Sequence, residues 1–179
     1  MKKIGLIGGL TYVSSLEYYR LLNELVNEKR GGSEAAEIIM YSVNFGEIRK
    51  FTEADDWNSL STIMCNAART LENAGADCIM IGANTMHKIA GDVRASVSIP
   101  VIHVAEVVAQ EIKKQGLHKV ALLGTKYTMQ LDFYKSILAK MALKQSFPVM
   151  PILSISIKQS IQSSVKIYLR QKQKRNTWK

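Results

Sequence analysis

The sequence predicts an α/β fold in which a parallel sheet is covered by helices on both faces. Short apolar segments alternate along the chain with longer segments whose apolar residues recur at helical spacing. The short segments are continuously apolar, which is typical of strands buried on both sides of a sheet. Because a helical pattern follows each of them, the chain forms a series of strand–helix–strand units. The content of 47% hydrophobic and 22% charged residues agrees with a globular protein that has a core.

The first predicted strand covers residues 3–8 and ends in a pair of turn-forming glycines. Ser14 or Ser15 is expected to cap the helix that follows, which runs to Arg30 and is ended by a second glycine pair. The face of this helix that we expect to pack on the sheet carries Leu16, Tyr19, Leu22, Leu25 and Val26.

The chain continues with the same alternation of strand and helix. A second strand is predicted at residues 37–43, followed by a turn at residues 44–46. The longest predicted helix is Trp57–Asn73, whose apolar residues fall at helical spacing and which Gly75 ends. The further predicted elements are strands at residues 78–82, 100–104 and 119–124 and helices at residues 88–96, 106–115 and 129–143.

The composition of the chain changes abruptly after residue 143. The preceding residues contain 16 of the 24 Lys and Arg and all 15 Asp and Glu, whereas the last 36 contain eight Lys and Arg, no acid and no glycine. We therefore predict a first α/β lobe at residues 1–103, a partial second lobe at residues 104–143 and an atypical basic tail at residues 144–179. Within this tail, residues 151–157 alternate like an exposed strand. A shifted reading frame or a truncated gene would explain so abrupt a change.

Composition also argues against several classes of protein. No apolar run approaches the roughly 20 residues that span a bilayer, and the first segment does not resemble a signal peptide, so we expect a cytoplasmic protein without a membrane partner. The two cysteines supply neither a disulfide framework nor a metal site. In the basic end of the tail, residues 166–179, only Tyr168 and Trp178 interleave aromatic rings with the basic charges, which favours a solvated end over a nucleic-acid surface.

The loops that follow the predicted strands are the candidate binding sites, because ligands of parallel α/β sheets bind at the carboxyl ends of the strands. Four such loops, rich in small and hydroxyl residues, cover residues 8–15, 44–47, 83–87 and 125–129. Backbone N–H groups at helix starts bind anions, so a carboxylate or a phosphate is the expected ligand. The first loop has the spacing GxxGG rather than GxGxxG, and no Gly-Lys-Ser/Thr follows it, which disfavours a nucleotide.

Residues 81–88, with the sequence IGANTMHK, form the most distinctive segment of the chain. Here the sequence resembles the aspartate/glutamate racemase family, the cofactor-independent amino-acid racemases. Further motifs of that family follow in the right order, nearly in register, over residues 2–143. They are IGLIGG at residues 4–9, EYYR at 17–20, YSVNF at 41–45, AGAD at 74–77, IPVIHVAE at 99–106 and LLGTKYTM at 122–129.

The resemblance implies two similar lobes with the active site between them and racemisation without a cofactor or a metal. Inverting the α-carbon needs a base on one face and an acid on the other, and the family uses one cysteine from each lobe. The first cysteine position is Gly82 in this chain, and the Gly-Cys-Thr-Glu motif of the second has no match after residue 143. Cys78 cannot replace it, because four residues of a strand span roughly 13 Å. We therefore predict a divergent or truncated member with impaired activity.

The substrate-binding part of the family pattern is retained. Tyr12 and Val13 depart from the Trp-Glu pair that is common in the first loop. A small amino acid is the implied partner, and a homodimer is the implied assembly. The residues that match the pattern, and that we predict to bind the substrate, are Leu10, Thr11, Asn84, Thr85, Met86, Thr125 and Thr128.

Two other functions stay open beside an impaired racemase. The first is a non-catalytic protein that binds acidic amino acids or similar small carboxylates, and the second is a nucleic-acid binder that uses the basic tail. Three side chains with chemical potential receive structural interpretations. His87 is predicted to cap a helix start rather than to transfer protons, His103 to be structural or pocket-lining, and Cys65 to be a core residue.

Overall fold

The structure of the protein is a computed structural model of the 179-residue chain. It describes residues 1–122, 124, 126–141 and 144–146. The chain divides into two compact units, Met1–Ile102 and a second unit that begins at His103. Both units combine helices with parallel strands, which confirms the predicted α/β class. None of the helices in the described residues is both long enough and apolar enough to traverse a lipid bilayer.

A four-stranded parallel sheet forms the centre of the first unit. Its elements are β1 (Ile4–Gly8), α1 (Tyr12–Arg30), β2 (Ile38–Ser42), α2 (Phe45–Glu53), α3 (Trp57–Asn73), β3 (Cys78–Ile81), a 3₁₀ helix (Thr85–Ile89), α4 (Ala90–Ser96) and β4 (Val101–Ile102). The strand order is β2-β1-β3-β4, and Ile4 of β1 lies opposite both Ile38 and Cys78. Because all the pairs are parallel, the carboxyl ends of the strands meet at one edge of the sheet.

Alternating side chains of the central strands build an apolar layer on each face of the sheet. On one face, Ile7 and Ile81 lie in a core cluster with residues of α2, α3 and α4. Helix α1 covers the opposite face. On that face, Gly8 of β1 lies against the side chain of Ser15 in α1. Full burial of one large aliphatic side chain stabilises a fold by about 1.5–3 kcal/mol. The buried apolar residues of α1 are Tyr18, Leu21, Leu22, Leu25 and Val26.

Helix α1 begins earlier than the sequence predicts, and two of the five residues predicted to face the sheet are exposed. Leu22, Leu25 and Val26 are buried as predicted. The N-cap is Thr11 rather than either predicted serine, and its Oγ1 accepts a hydrogen bond of 3.2 Å from the backbone N–H of Ser14. Leu16 and Tyr19, which were predicted to face the sheet, are 62% and 53% exposed. Leu16 lies on the side of the helix opposite to buried Leu25, because the nine steps between them rotate the helix by about 180° beyond whole turns.

Residues 44–46 do not form the predicted turn but begin helix α2. Asn44 is the N-cap, and its Oδ1 accepts a hydrogen bond of 3.0 Å from the N–H of Gly46. Glu47, three residues after Asn44, completes a sequence pattern that is typical of helix starts and that would have identified this helix. The apolar residues Phe45, Ile48 and Phe51 recur at helical spacing along α2, although Ile48 is its only buried residue.

Strand β2 departs from the prediction that every strand is buried on both faces. It is the outermost strand, next to β1, and its residues Met40 and Tyr41 are 49% and 40% exposed. Strand β4 is shorter than predicted, because His103 already caps the next helix. The helix predicted at residues 88–96 is divided between the 3₁₀ helix and α4.

The second unit contains α5 (Val104–Lys114), β5 (Lys119–Ala121), α6 (Lys126–Gln130), α7 (Asp132–Lys140) and β6 (Lys144–Ser146). Strands β5 and β6 pair in parallel, with Lys119 opposite Lys144, and β6 was not predicted. The helix predicted at residues 129–143 is interrupted at Leu131, whose backbone is extended. The strand predicted at residues 151–157 lies outside the described residues. The buried apolar cluster of this unit consists of Val104, Ala105, Ala109, Leu122, Tyr134 and Leu138.

Candidate functional site

Three of the four predicted binding loops lie side by side at the carboxyl edge of the first unit's sheet. The backbone N–H of Gly82, after β3, donates a hydrogen bond of 2.9 Å to the carbonyl oxygen of Ile7 in β1. The N–H of Val43, after β2, donates a hydrogen bond of 3.0 Å to the carbonyl oxygen of Gly8. The fourth loop belongs to the second unit. This edge is the place where parallel α/β sheets bind their ligands.

The turn between β1 and α1 requires glycine. Gly9 has a φ of +76°, and a Cβ at this residue would lie 2.2 Å from the carbonyl oxygen of Val43. Its backbone N–H donates a buried hydrogen bond of 2.8 Å to the hydroxyl of Ser15. The backbone of the first loop is therefore fixed against the loop that follows β2.

A chain of hydroxyl groups joins the start of α1 to the loop after β3. The hydroxyl of Thr11 donates to Oγ of Ser14 over 3.0 Å, and Ser14 donates to the carbonyl oxygen of Gly82 over 2.9 Å. Ser14 therefore positions the β3 loop, a role not evident from the sequence, in which this serine has the pattern of a helix cap. Thr11 is exposed at the loop.

Asn84 and Thr85 carry the polar groups that this edge leaves open to a ligand. Both side chains are half-buried, and neither the amide of Asn84 nor the hydroxyl of Thr85 forms a hydrogen bond within the described residues. Asn84 precedes the 3₁₀ helix without capping it through its side chain. An amide NH₂ and a hydroxyl are donors that suit the oxygens of a carboxylate.

Two other predicted substrate residues of this edge have buried side chains. Leu10 and Met86 are 4% and 3% exposed and belong to the same core cluster as Ile7. Their side chains pack against the sheet and do not line an open site. Their contribution at the loops is consequently limited to the backbone.

The two predicted substrate residues of the second unit are Thr125 and Thr128. Thr125 lies outside the described residues. Thr128 is 1% exposed and packs against Gly124, where an added Cβ would lie 3.0 Å from the Cβ of the threonine. The structure therefore shows Thr128 as a buried residue of its own unit.

The loop after β3 brings no thiol to the carboxyl edge. A Cβ at Gly82 would lie 2.9 Å from the carbonyl oxygen of Ile7, closer than real Cβ atoms approach backbone. Both cysteines of the sequence are buried free thiols. Cys78 opens β3 at the opposite end of the strand, and Cys65 lies in the middle of α3 as the predicted core residue.

Of the two histidines near the strand ends, His87 does not cap a helix start as predicted, whereas His103 has a structural role, one of the two roles predicted for it. His87 is buried inside the 3₁₀ helix, where its Nδ1–H donates a hydrogen bond of 2.8 Å to the carbonyl oxygen of Ala83. His103 is the histidine that caps a helix, because its Nδ1 accepts a hydrogen bond of 3.2 Å from the N–H of Ala105. Each imidazole thus has a structural hydrogen bond that fixes its tautomer.

The carboxylate of Asp56 has a structural role at the start of α3. Asp56 caps α3, and hydrogen bonds from the hydroxyl and the N–H of Ser59 hold the pKa of this carboxyl below its ordinary value of 3.8. No group of three His, Cys, Asp or Glu that could hold a metal ion occurs among the residues with described positions.

A parallel sheet whose strand-end loops present an amide and hydroxyls has the architecture in which α/β proteins bind small polar ligands. The chain belongs to the Asp/Glu/Hydantoin racemase family, whose sequence model matches residues 7–175. It is therefore a member of a family of isomerases that act on amino acids. The match continues past residue 143, where the sequence motifs end.

Comparison with individual proteins agrees with this family. A crystal structure of a protein from Yersinia pestis, assigned to the Asp/Glu racemases, is similar to this chain with 38% sequence identity and a TM-score of 0.80. The similarity covers 93% of this chain and 71% of the Yersinia protein. The structure of an aspartate racemase homologue from Pyrococcus horikoshii has 40% sequence identity to this chain and a TM-score of 0.76. The similarity covers 90% of this chain and 69% of the Pyrococcus protein. The broad specificity amino-acid racemase RacX of Bacillus subtilis is 29% identical over 83 residues, which are 46% of this chain and 36% of RacX.

Proposed function

We propose that this chain binds an acidic amino acid at the carboxyl edge of its sheet, without a cofactor, and that its racemase activity is impaired. The observation that carries the proposal is the pair formed by Asn84 and Thr85, whose half-buried polar groups have no partner within the described residues. Their donors suit a carboxylate, and membership of the family supports an amino acid as the molecule that bears it.

The impairment follows from the chemistry of inversion. Removing the α-proton on one face and returning it on the other needs two positioned acid–base groups, which each contribute about 10²–10⁴-fold to the rate. The chain has two cysteines, and both are buried in elements away from the strand-end loops. Binding energy from the loops would remain, whereas the proton-transfer pair would be missing.

Hydrogen–deuterium exchange at the α-carbon tests this proposal directly. Purified protein is incubated in D₂O with L-aspartate, D-aspartate and the two enantiomers of glutamate, and the α-proton signal is followed by NMR. We expect exchange no faster than in buffer alone. Exchange that requires the protein and is lost in an Asn84→Ala variant would show that groups other than thiols transfer the proton at this site.

A non-catalytic binding protein is the second candidate, and the same open donors favour it. Calorimetric titration with aspartate and glutamate is expected to show binding that weakens in the Asn84→Ala and Thr85→Val variants. Exposed Thr62 is a matched control, because its hydroxyl only donates to the carbonyl oxygen of Asn58 within α3. Binding that is equal in Thr85→Val and Thr62→Val would contradict the assignment of the site.

The implied homodimer and the cytoplasmic location remain predictions from the sequence. Sedimentation equilibrium of the full chain over a range of concentrations would measure the assembly. A homodimer is expected to give twice the mass of the 20.0 kDa chain.

A further inference from the structure

Lys88 carries a positive charge that an aromatic ring holds in place. Its Nζ lies 3.5 Å from the centroid of the Trp57 ring. The negative face of an aromatic ring attracts a cation, and this contact orders a side chain that otherwise moves freely in water. Within the described residues Lys88 forms no ion pair with a carboxylate. The ammonium group is therefore ordered while its charge stays unneutralised.

Three acidic residues that are close to Trp57 or Lys88 in the sequence accept hydrogen bonds from other residues. Asp55 accepts a hydrogen bond from the indole N–H of Trp57. Asp56 accepts two hydrogen bonds from Ser59 at the start of α3, and Asp92 accepts one of 2.7 Å from Ser61. Since three donors belong to the ammonium group and the ring occupies only one side of it, donors remain for an anion.

Lys88 lies in the 3₁₀ helix that begins at Thr85, directly after Asn84. Side chains three residues apart eclipse each other in a 3₁₀ helix, so Thr85 and Lys88 lie on the same side of the helix Thr85–Ile89. Trp57 begins α3, which leads back from the carboxyl end of β2 towards the start of β3. The ring that holds Lys88 is thus at the same edge of the sheet as Asn84.

We propose that Lys88, held by Trp57, selects ligands that carry a second carboxylate. The inference rests on the proposed function, in which Asn84 and Thr85 bind the first carboxylate of an amino acid. A neutral amino acid would satisfy those two residues and leave the ammonium group unused. A dicarboxylic amino acid would also neutralise Lys88, which gives this residue the role of a specificity determinant.

Binding of aspartate and of asparagine, which differ only in the charge of the side-chain group, tests the proposal by calorimetry. The full chain is compared with Lys88→Met, which keeps an unbranched side chain without the charge, and with Lys88→Arg, which keeps the charge. We expect the wild-type chain to prefer aspartate by about tenfold or more, as for one charge-assisted hydrogen bond. Lys88→Met is expected to lose this preference by weakening aspartate alone, and Lys88→Arg to keep most of it.

Lys29→Met is the matched control, because Lys29 is an exposed lysine in the last turn of α1. This variant should bind both amino acids as the wild-type chain does. A second readout comes from Trp57, whose emission is isolated by a Trp178→Phe background, since the sequence has two tryptophans. Aspartate is expected to change this emission in the wild-type chain, and asparagine is expected to leave it unchanged.

The outcomes separate this inference from the function on which it rests. If the wild-type chain binds neither amino acid, the proposed function fails together with the inference. If it binds both equally, or if Lys88→Met weakens aspartate and asparagine by the same factor, binding stands and the selectivity of Lys88 is wrong. A loss of aspartate binding in Lys29→Met equal to that in Lys88→Met would also overturn the inference. The lower net positive charge of the protein, rather than the position of Lys88, would then explain the weaker binding.

Discussion

Gly82 is a closely packed glycine at the end of β3. The resemblance to the racemase family places a catalytic cysteine at this position, and the structure shows why a side chain is not readily accommodated here. The carbonyl oxygen of Ile7, which accepts the hydrogen bond from the N–H of Gly82, would lie 2.9 Å from a Cβ. Restoring a thiol therefore requires β1 to move.

We expect Gly82→Cys to destabilise the protein without creating racemase activity. Forcing an extra side chain into close packing costs roughly 1–3 kcal/mol, to be measured by urea denaturation. The same variant should show no α-proton exchange with aspartate. Gly91→Ala is the control, because a Cβ at Gly91 in α4 meets no atom within 4 Å and should stabilise the helix by about 0.4–1 kcal/mol. Wild-type stability in Gly82→Cys would contradict the packing argument.

The residues of the site were predictable only where a motif also fixes the direction of the side chain. Asn84 and Thr85 follow a buried strand, so their place at the carboxyl edge could be inferred from the sequence. Leu10 belongs to the same kind of loop, yet its side chain turns into the core. Ser14 contacts the carbonyl oxygen of Gly82 across 68 residues of sequence, and no local pattern indicates such a contact.

Among the elements, α3 and α1 show when helical spacing is sufficient. The bounds of α3 were predicted correctly, because its apolar spacing and the stop at Gly75 agree and the rest of its surface is polar. Helix α1 has apolar residues on two sides, so spacing alone does not decide which side is buried. Helix α2 was missed because Asn44 and Gly46, at its start, were interpreted as a turn.

The orientation of α1 predicts different costs for two leucines of the same helix. Leu22 is fully buried and Leu16 is 62% exposed. We expect Leu22→Ala to lower the free energy of unfolding by about 2–5 kcal/mol, because it leaves a cavity in the core. Leu16→Ala should change it by about 0.5 kcal/mol or less. Equal losses in urea denaturation of the two variants would contradict the observed orientation.

The connection between α4 and β4 is held by a carboxylate of α3. Glu72 accepts hydrogen bonds of 2.8 Å from the N–H of Ser98 and 3.2 Å from that of Ile99, besides one from the Ser98 hydroxyl. Bonds to the Ser98 hydroxyl and N–H hold the pKa of Glu72 below its ordinary value of 4.5. These bonds favour the ionised form, so the folded state binds the proton of this carboxyl more weakly than the unfolded chain does.

A dependence of stability on pH follows from this lowered pKa. The stabilisation by Glu72 is complete above pH 4.5 and is lost as the pH falls through the lower pKa of the folded state. We expect Glu72→Gln to be less stable than the wild-type chain at pH 7, with a difference that shrinks in urea denaturation at pH 3. Arg69→Gln, an exposed change in the same helix, is the control. A difference that stays constant with pH would contradict the assignment.

For the molecule as a whole, the alternation of strands and helices was enough to predict the fold class and the family. The sequence did not indicate the parallel strand β6, because the composition of the chain changes where that strand begins. The first unit has apolar layers on both faces of its sheet, whereas the described core of the second has six buried residues. Length and composition therefore predict a fold class here better than they predict the extent of the second unit.

Marginal stability is the prediction that belongs to the whole chain. Thermal unfolding followed by circular dichroism and calorimetry is expected to show a low and broad transition, because the described apolar cluster of the second unit has six buried residues. A single cooperative transition at high temperature would contradict this expectation. A saturating acidic amino acid should raise the midpoint if the proposed site binds it, since a ligand of the folded state stabilises that state.

The burial of both cysteines makes the reaction of their thiols a measure of local unfolding. Cys65 and Cys78 are 8% and 0% exposed, and they lie in different elements of the first unit. A maleimide dye can reach them only after the surrounding helices and strands separate. The rate of labelling will therefore report how often the first unit opens locally, without any cysteine being added to the chain.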